Sequence, residues 1–165
     1  MSLLNTASNF YHYIVSLLDR FNTWLPQLVL RLILAWEFGE AGIAKFNGEN
    51  WFANLDFPFP FNIVPPEISW GMATYFEIIG AFALAIGLAT RFFSLSLIIL
   101  TIVAIASVHW PESWGTLAEL WKGYAISDKG FGNYKLPLLL LIMLLPLLFG
   151  GAGKLSLDHL INRRK

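Results

Sequence analysis

Six residues combine ionisable chemistry with apolar surroundings. Arg31, Glu37, Glu40 and Glu77 sit inside apolar helical stretches, and Lys45 and His109 lie near the ends of two such stretches. An ionisable group at bilayer depth costs about 2.5–3.5 kcal/mol on insertion scales, so it normally faces the protein interior, pairs, or lines a polar path. At about 100° and 1.5 Å per residue, Glu37 and Glu40 share a helix face, and Arg31 lies about 9 Å lower and about 120° round. The stretch carrying Glu77 runs in the opposite direction, which brings Glu77 to the depth of Glu37 and Glu40. The spacing permits one polar cluster: three carboxylates, Lys45 and His109 above them and Arg31 below, with Trp36 and Trp110 as wall residues.

Three chemistries compete for this cluster. The structural one pairs Arg31 with Glu77 across two helices and leaves Glu37 and Glu40 facing water near the outer surface; alternatively the long Arg31 side chain reaches a backbone carbonyl. The second is a proton-linked or quinone-linked redox pocket, since a carboxyl in low dielectric holds its proton more readily and suits proton transfer. The third is a metal site of His109 with Glu37, Glu40 or Glu77, an imidazole–carboxylate set that suits several divalent metals. No His-x-x-x-His pair supports the third, and the sequence assigns no catalytic residue. His12 reads as an interface residue and His159 as solvated. Gly150-Gly151-Ala152-Gly153-Lys154 lacks the full phosphate-loop spacing and reads as a flexible helix exit.

The elements that must position these groups are read from composition and periodicity. The chain is 56% hydrophobic and only 13% charged over 165 residues, and its mean hydropathy is +0.60. A soluble domain carries about 25% charged residues, so the bilayer is the expected solvent. With no cysteine, disulfides, thiolate metal sites and thiol catalysis by this chain are excluded. Zero formal net charge gives no general attraction to nucleic acid.

The spacing predicts an all-α integral membrane four-helix bundle preceded by an N-terminal amphipathic interfacial helix over residues 1–22. That helix lacks the basic start, apolar run and cleavage site of a signal peptide. The expected spans are 24–45, 69–89, 92–109 and 135–152, each near the roughly 20 residues a bilayer needs. Thr90-Arg91 forms the tight hairpin between the second and third, and Pro146 falls inside the fourth. Residues 23–158 make the membrane domain and 159–165 a basic C-terminal tail. Two aromatic connections stand out. Residues 46–68 carry Trp51-Phe52, Phe57-Pro58-Phe59-Pro60-Phe61 and Pro65-Pro66 and read as a stiff loop adhering to the membrane surface. Residues 110–134 carry Trp110, Trp114, Trp121, Tyr124, Phe131 and Tyr134, with a short interfacial helix expected over 114–124.

Orientation follows Lys and Arg in the flanks. Arg20, Arg91, Lys154, Arg163, Arg164 and Lys165 fall on one side; Lys45, Lys122, Lys129 and Lys135 fall on the other, with most acidic loop residues, Asp128 among them. This favours both termini in the cytoplasm of a bacterial inner membrane and both aromatic loops outside.

Arg31-Leu32, Gly42-Ile43-Ala44-Lys45-Phe46, Glu77-Ile78-Ile79-Gly80, Gly87-Leu88-Ala89-Thr90-Arg91 and Gly151-Ala152-Gly153-Lys154-Leu155-Ser156-Leu157-Asp158 resemble, in order and spacing, the DoxX family of small four-helix membrane proteins. Trp51-Phe52, Pro58-Phe59-Pro60 and Val108-His109-Trp110 look most like its HvfX-like subgroup. The resemblance implies quinone-linked redox complexes for the family and copper-binding-peptide maturation for the subgroup. The expectation is an accessory inner-membrane protein of such a system, acting with a membrane or periplasmic protein partner rather than as a free-standing enzyme. A homo-oligomer stays open. A small transporter component and a purely structural scaffold are the alternatives.

Overall fold

The computed structural model describes residues 3–125 and 132–163. Asp128, Lys129, Phe131, Arg164 and Lys165 lie outside the described residues. The described chain is helical: α1 Leu3–Asn22, α2 Leu25–Asn47, α3 Pro66–Ile86, α4 Thr90–Ala104, α5 Leu117–Ala125, α6 Lys135–Gly150 and α7 Leu157–Asn162, with short 3-10 turns at Phe52–Asn54 and Phe61–Ile63. α4 runs on into a π-helical turn, Ile105–His109.

α2, α3, α4 and α6 form a closed four-helix bundle: α2 packs on α3, α3 on α4, α4 on α6 and α6 back on α2. Leu34, Phe38, Ala81, Leu84, Leu97, Ile98, Leu144 and Leu147 form its core. Pro66–Ile86 and Thr90–His109 are long and apolar enough to cross a membrane. α2 has the length but carries the charges discussed above, and α6 is apolar through its 16 residues. Pro146 stays inside α6 without ending it. α1 leaves Phe10, Tyr11, Tyr13, Ile14, Leu18 and Phe21 exposed, as an amphipathic helix lying against a membrane would.

Two expectations shift. The hairpin between α3 and α4 is made by Gly87, Leu88 and Ala89, while Thr90 and Arg91 are already helical. Gly87 and Ala89 take left-handed φ values of 69° and 48°, which reverses the chain within three residues. The glycine-rich exit after α6 is tied down rather than loose. Gly151 and Gly153 turn it back with φ of 77° and 75°, the Lys154 N–H donates to Thr23 O at 3.2 Å, and the Asp158 N–H donates to Gly87 O at 2.9 Å. The start of α2, the α3–α4 turn and the C-terminal return therefore meet at one end of the bundle. The 46–68 loop and the π-helical turn occupy the other.

Candidate functional site

The six ionisable residues separate into three groups. At the turn end, Arg31 is 1% exposed. Its Nη1 donates to Leu84 O at 3.2 Å and Ala85 O at 3.4 Å, and its Nη2 donates to Leu155 O. Two of those acceptors belong to the last turn of α3, where four carbonyls lack helical partners. The guanidinium thus caps α3 and pins the C-terminal return to it. It sits against Gly87, where an added Cβ would fall 2.1 Å from Nη1.

Arg31 does not pair with Glu77. Glu77, 3% exposed, is claimed by Lys45, whose Nζ lies 2.9 Å from Oε1 and 2.8 Å from Oε2. The reason is geometric. Lys45 and Arg31 are fourteen positions apart on α2, about 21 Å at 1.5 Å per residue, so one carboxylate cannot serve both. Close approach of α2 to α3 brings Lys45 within reach: Gly42 packs so tightly that an added Cβ would lie 2.8 Å from Ile78 Cγ1 and 3.0 Å from Glu77 Cβ.

Glu37 and Glu40 stand apart from this pair. Glu40 is exposed and Glu37 half-buried on the outer side of α2, and neither carboxylate has a hydrogen bond or ion pair among the described residues. Trp36, 72% exposed, lies on the outside of the bundle and does not line the cavity beside Lys45 and Glu77. Trp110 lies instead against Tyr134, with ring centroids 5.3 Å apart.

The Lys45–Glu77 pair forms part of the wall of a cavity of about 430 Å³ between α3, α4 and the 46–68 loop. That size falls in the range of about 300–1,000 Å³ typical of small-molecule sites. Phe76, Ala73 and Met72 line it from α3; Leu100, Val103 and Ala104 line it from α4. The aromatic loop supplies the remaining wall. Trp51 and Phe52 meet Trp70 edge-on at 5.8 and 5.0 Å between centroids, and Phe52 meets Phe57 at 5.1 Å. The loop folds onto the bundle end through Trp51, Phe52 and Phe57, while Phe59 and Ile63 stay exposed. Its Trp-Phe and alternating Phe-Pro residues were the signal that could have placed it there.

His109 also lines the cavity, from the π-helical turn. Its Nδ1 is 2.6 Å from Asn133 Oδ1, and the Asn133 N–H donates to His109 O at 3.0 Å. A ring N–H on Nδ1 would donate to the Asn133 amide oxygen, and the pairing fixes the orientation of the imidazole at the cavity edge.

The donor set does not make a metal centre. Among the described residues no group of three or more His, Cys, Asp or Glu could hold an ion. His109, the one imidazole at the cavity, is not joined there by Glu37 or Glu40.

Comparison with known proteins completes the picture. The DoxX family model matches residues 27–110, which include α3, α4, the aromatic loop and both Arg31 and Lys45 of α2. A Haemophilus influenzae protein named only "Uncharacterized protein" is 48% identical over 138 residues, spanning 82% of this chain and 83% of its own. No solved structure matches. The chain belongs to the DoxX family of membrane proteins.

Proposed function

We propose that the chain is an accessory protein of the bacterial inner membrane, working with a membrane or periplasmic partner in a quinone-linked redox system or in maturation of a copper-binding peptide. In this reading the cavity beside Lys45 and Glu77 holds a lipid-soluble small molecule for that system. The observation that carries it is the bidentate Lys45–Glu77 pair, its carboxylate buried and its ammonium half-buried, set into a mostly apolar cavity wall. A pair needed only for packing gains little over apolar side chains of similar volume.

The residues fit a quinone. Aromatic side chains offer faces for a ring, and the ammonium of Lys45 retains an N–H beyond the two directed at Glu77. A quinone, when bound, supplies reversible two-electron, two-proton chemistry; the chain's own residues bind and orient it and shield it from water. They do not fit a metal, so in the maturation version copper is held by the partner or the peptide.

The test is extraction of quinone from protein purified in mild detergent. Wild-type protein should carry quinone well above an unrelated inner-membrane protein prepared in parallel, and Glu77→Gln should lower the content at least fivefold while the protein stays folded. Equal content in the wild-type and the control protein would sink the quinone version.

A further inference from the structure

α2 carries two carboxyl groups that neither the bundle nor the cavity uses. Glu40 is exposed and Glu37 half-buried, and neither has a hydrogen bond or ion pair among the described residues. Contacts between α2 and α3 fix their depth. A Cβ on Gly39 would fall 3.5 Å from Ala81 Cβ, and one on Gly42 would fall 3.0 Å from Glu77 Cβ. Glu40 is therefore level with the stretch of α3 between Glu77 and Ala81. At 1.5 Å per residue that is about 8–14 Å from the Ile86 end of α3 and about 17–23 Å from its Pro66 end. Glu37 lies about 4.5 Å nearer the Ile86 end. Because α3 is long and apolar enough to cross a membrane, Glu40 stands in the hydrocarbon layer. Its short side chain cannot carry the carboxyl to either surface.

At comparable depth the other spanning helices expose apolar side chains: Ile79 and Phe82 on α3, Leu95 and Ile99 on α4, Ile142 on α6. On α2 the exposed residues Val29, Ile33, Trp36, Glu40 and Ile43 follow one another at steps of four, three, four and three. That is the heptad spacing by which one helix packs along another. The apolar members of this stripe are at home against lipid. Glu40 is not, because an ionisable group at this depth belongs in a protein contact.

We infer that this stripe docks a membrane helix of a different protein, and that the docked helix carries an Arg or Lys opposite Glu40 and Glu37. A carboxylate only accepts hydrogen bonds, so a cationic donor is its complement. Three positions apart, the two carboxylates share a face of α2. A second copy of this chain does not supply the cation. Between the ends of its span the described cations are Arg31 and Lys45, and both are engaged inside the bundle. Two parallel copies joined along the stripe would set Glu40 against Glu40. The inference rests on the reading of the chain as an accessory to a partner protein and adds the surface and the chemistry that recognises that partner.

The first probe is a single-pass Leu-Ala host peptide with one Arg at the depth of Glu40, compared with the same peptide carrying Leu there. Each bears an acceptor dye and is titrated in lipid vesicles against the full chain labelled at Asn47→Cys, at the exposed end of α2. The Arg peptide should associate about fivefold more tightly, and Glu37→Gln/Glu40→Gln should erase the difference. These substitutions remove no described contact, so the bundle stays folded. Equal association of the two peptides, or a difference that persists in the variant, overturns the inference.

The second measurement looks for the partner itself. Dicyclohexylcarbodiimide, a lipid-soluble reagent for carboxyl groups, is applied to single copies in nanodiscs and to native membranes at natural expression. Modification of Glu40 is read by mass spectrometry. It should be extensive in the nanodisc, about threefold lower or less in the native membrane, and extensive again on overproduction, when copies outnumber the partner. Equal modification in nanodisc and native membrane overturns the inference, as does a Glu40 unreactive in the nanodisc. Protection that appears when two copies share a nanodisc also overturns it, since the occupant is then this chain. The outcome is separable from the quinone test. An unprotected Glu40 in a chain that carries quinone ends this inference and leaves the redox reading standing; protection without quinone does the reverse.

Discussion

Arg31 and Lys45 are two cations on one helix with opposite solutions to burial. Arg31 spreads its donors over three backbone carbonyls of α3 and the C-terminal return, whereas Lys45 concentrates on the single carboxylate of Glu77. Breaking a buried pair by removing one partner typically costs about 3–5 kcal/mol. Lys45→Met and Glu77→Gln should each lower the unfolding midpoint in detergent toward that extent, and Lys45→Met/Glu77→Met should recover most of the loss. Arg31→Met leaves carbonyls unmet at about 1–3 kcal/mol. Combined with Glu77→Gln, its effect should add, because the two do not touch; a coupling above about 0.5 kcal/mol in the double-mutant cycle would restore the Arg31–Glu77 pairing. The sequence marked these residues as anomalous because charge in an apolar run is visible in one dimension. It could not say who meets whom, since that depends on helix crossing and on where the α3–α4 turn presents its carbonyls. Counting depth alone matched Arg31 to the wrong acceptor, although a carbonyl was already a legible alternative.

Elements were easier to read than contacts. Apolar runs located α2, α3, α4 and α6 to within a few residues, since only a helix satisfies its own backbone in lipid. The 46–68 loop was harder: the same Trp, Phe and Pro residues suit a membrane surface or a cavity wall, and their spacing does not reveal that Trp51 and Phe52 fold onto Trp70 while Phe59 and Ile63 stay exposed. The α2–α3 contact turns on Gly42. Gly42→Ala should push the helices apart around Ile78, cost about 1–3 kcal/mol as overpacking, and lengthen the Lys45–Glu77 contact; normal thermal stability in that variant would contradict the packing described. At the other end, the Asp158 carboxylate accepts from the Ala89 and Thr90 N–H groups at 2.7 and 2.9 Å, capping α4 from a distant part of the chain. Asp158→Ala should cost about 0.5–2 kcal/mol, the range for a lost helix cap, measured by unfolding in detergent.

At the scale of the whole molecule, the bundle sorts its connections between two ends. Arg91, Lys154 and Arg163 lie with the α3–α4 turn and the C-terminal return; the aromatic loop and His109 lie opposite. We propose that the first end faces the cytoplasm, as basic flanks favour. The absence of cysteine gives a clean background for checking this. Glu49→Cys should react with a membrane-impermeant maleimide on spheroplasts and Lys154→Cys only after lysis; the reverse pattern would invert the orientation. The basic flanks were legible in the sequence, but the meeting of three distant segments at one end was not, because nothing in their spacing announces the hydrogen bonds that join them. The bond from Arg31 to Leu155 spans 124 positions, and this makes time a part of the structure. At about 5–20 residues per second, the ribosome makes the acceptor roughly 6–25 s after the donor. During that interval the guanidinium of the newly made helix lacks one of its final partners. A chain released before Leu155 never closes this contact, so the packing of this end records that synthesis has passed that residue.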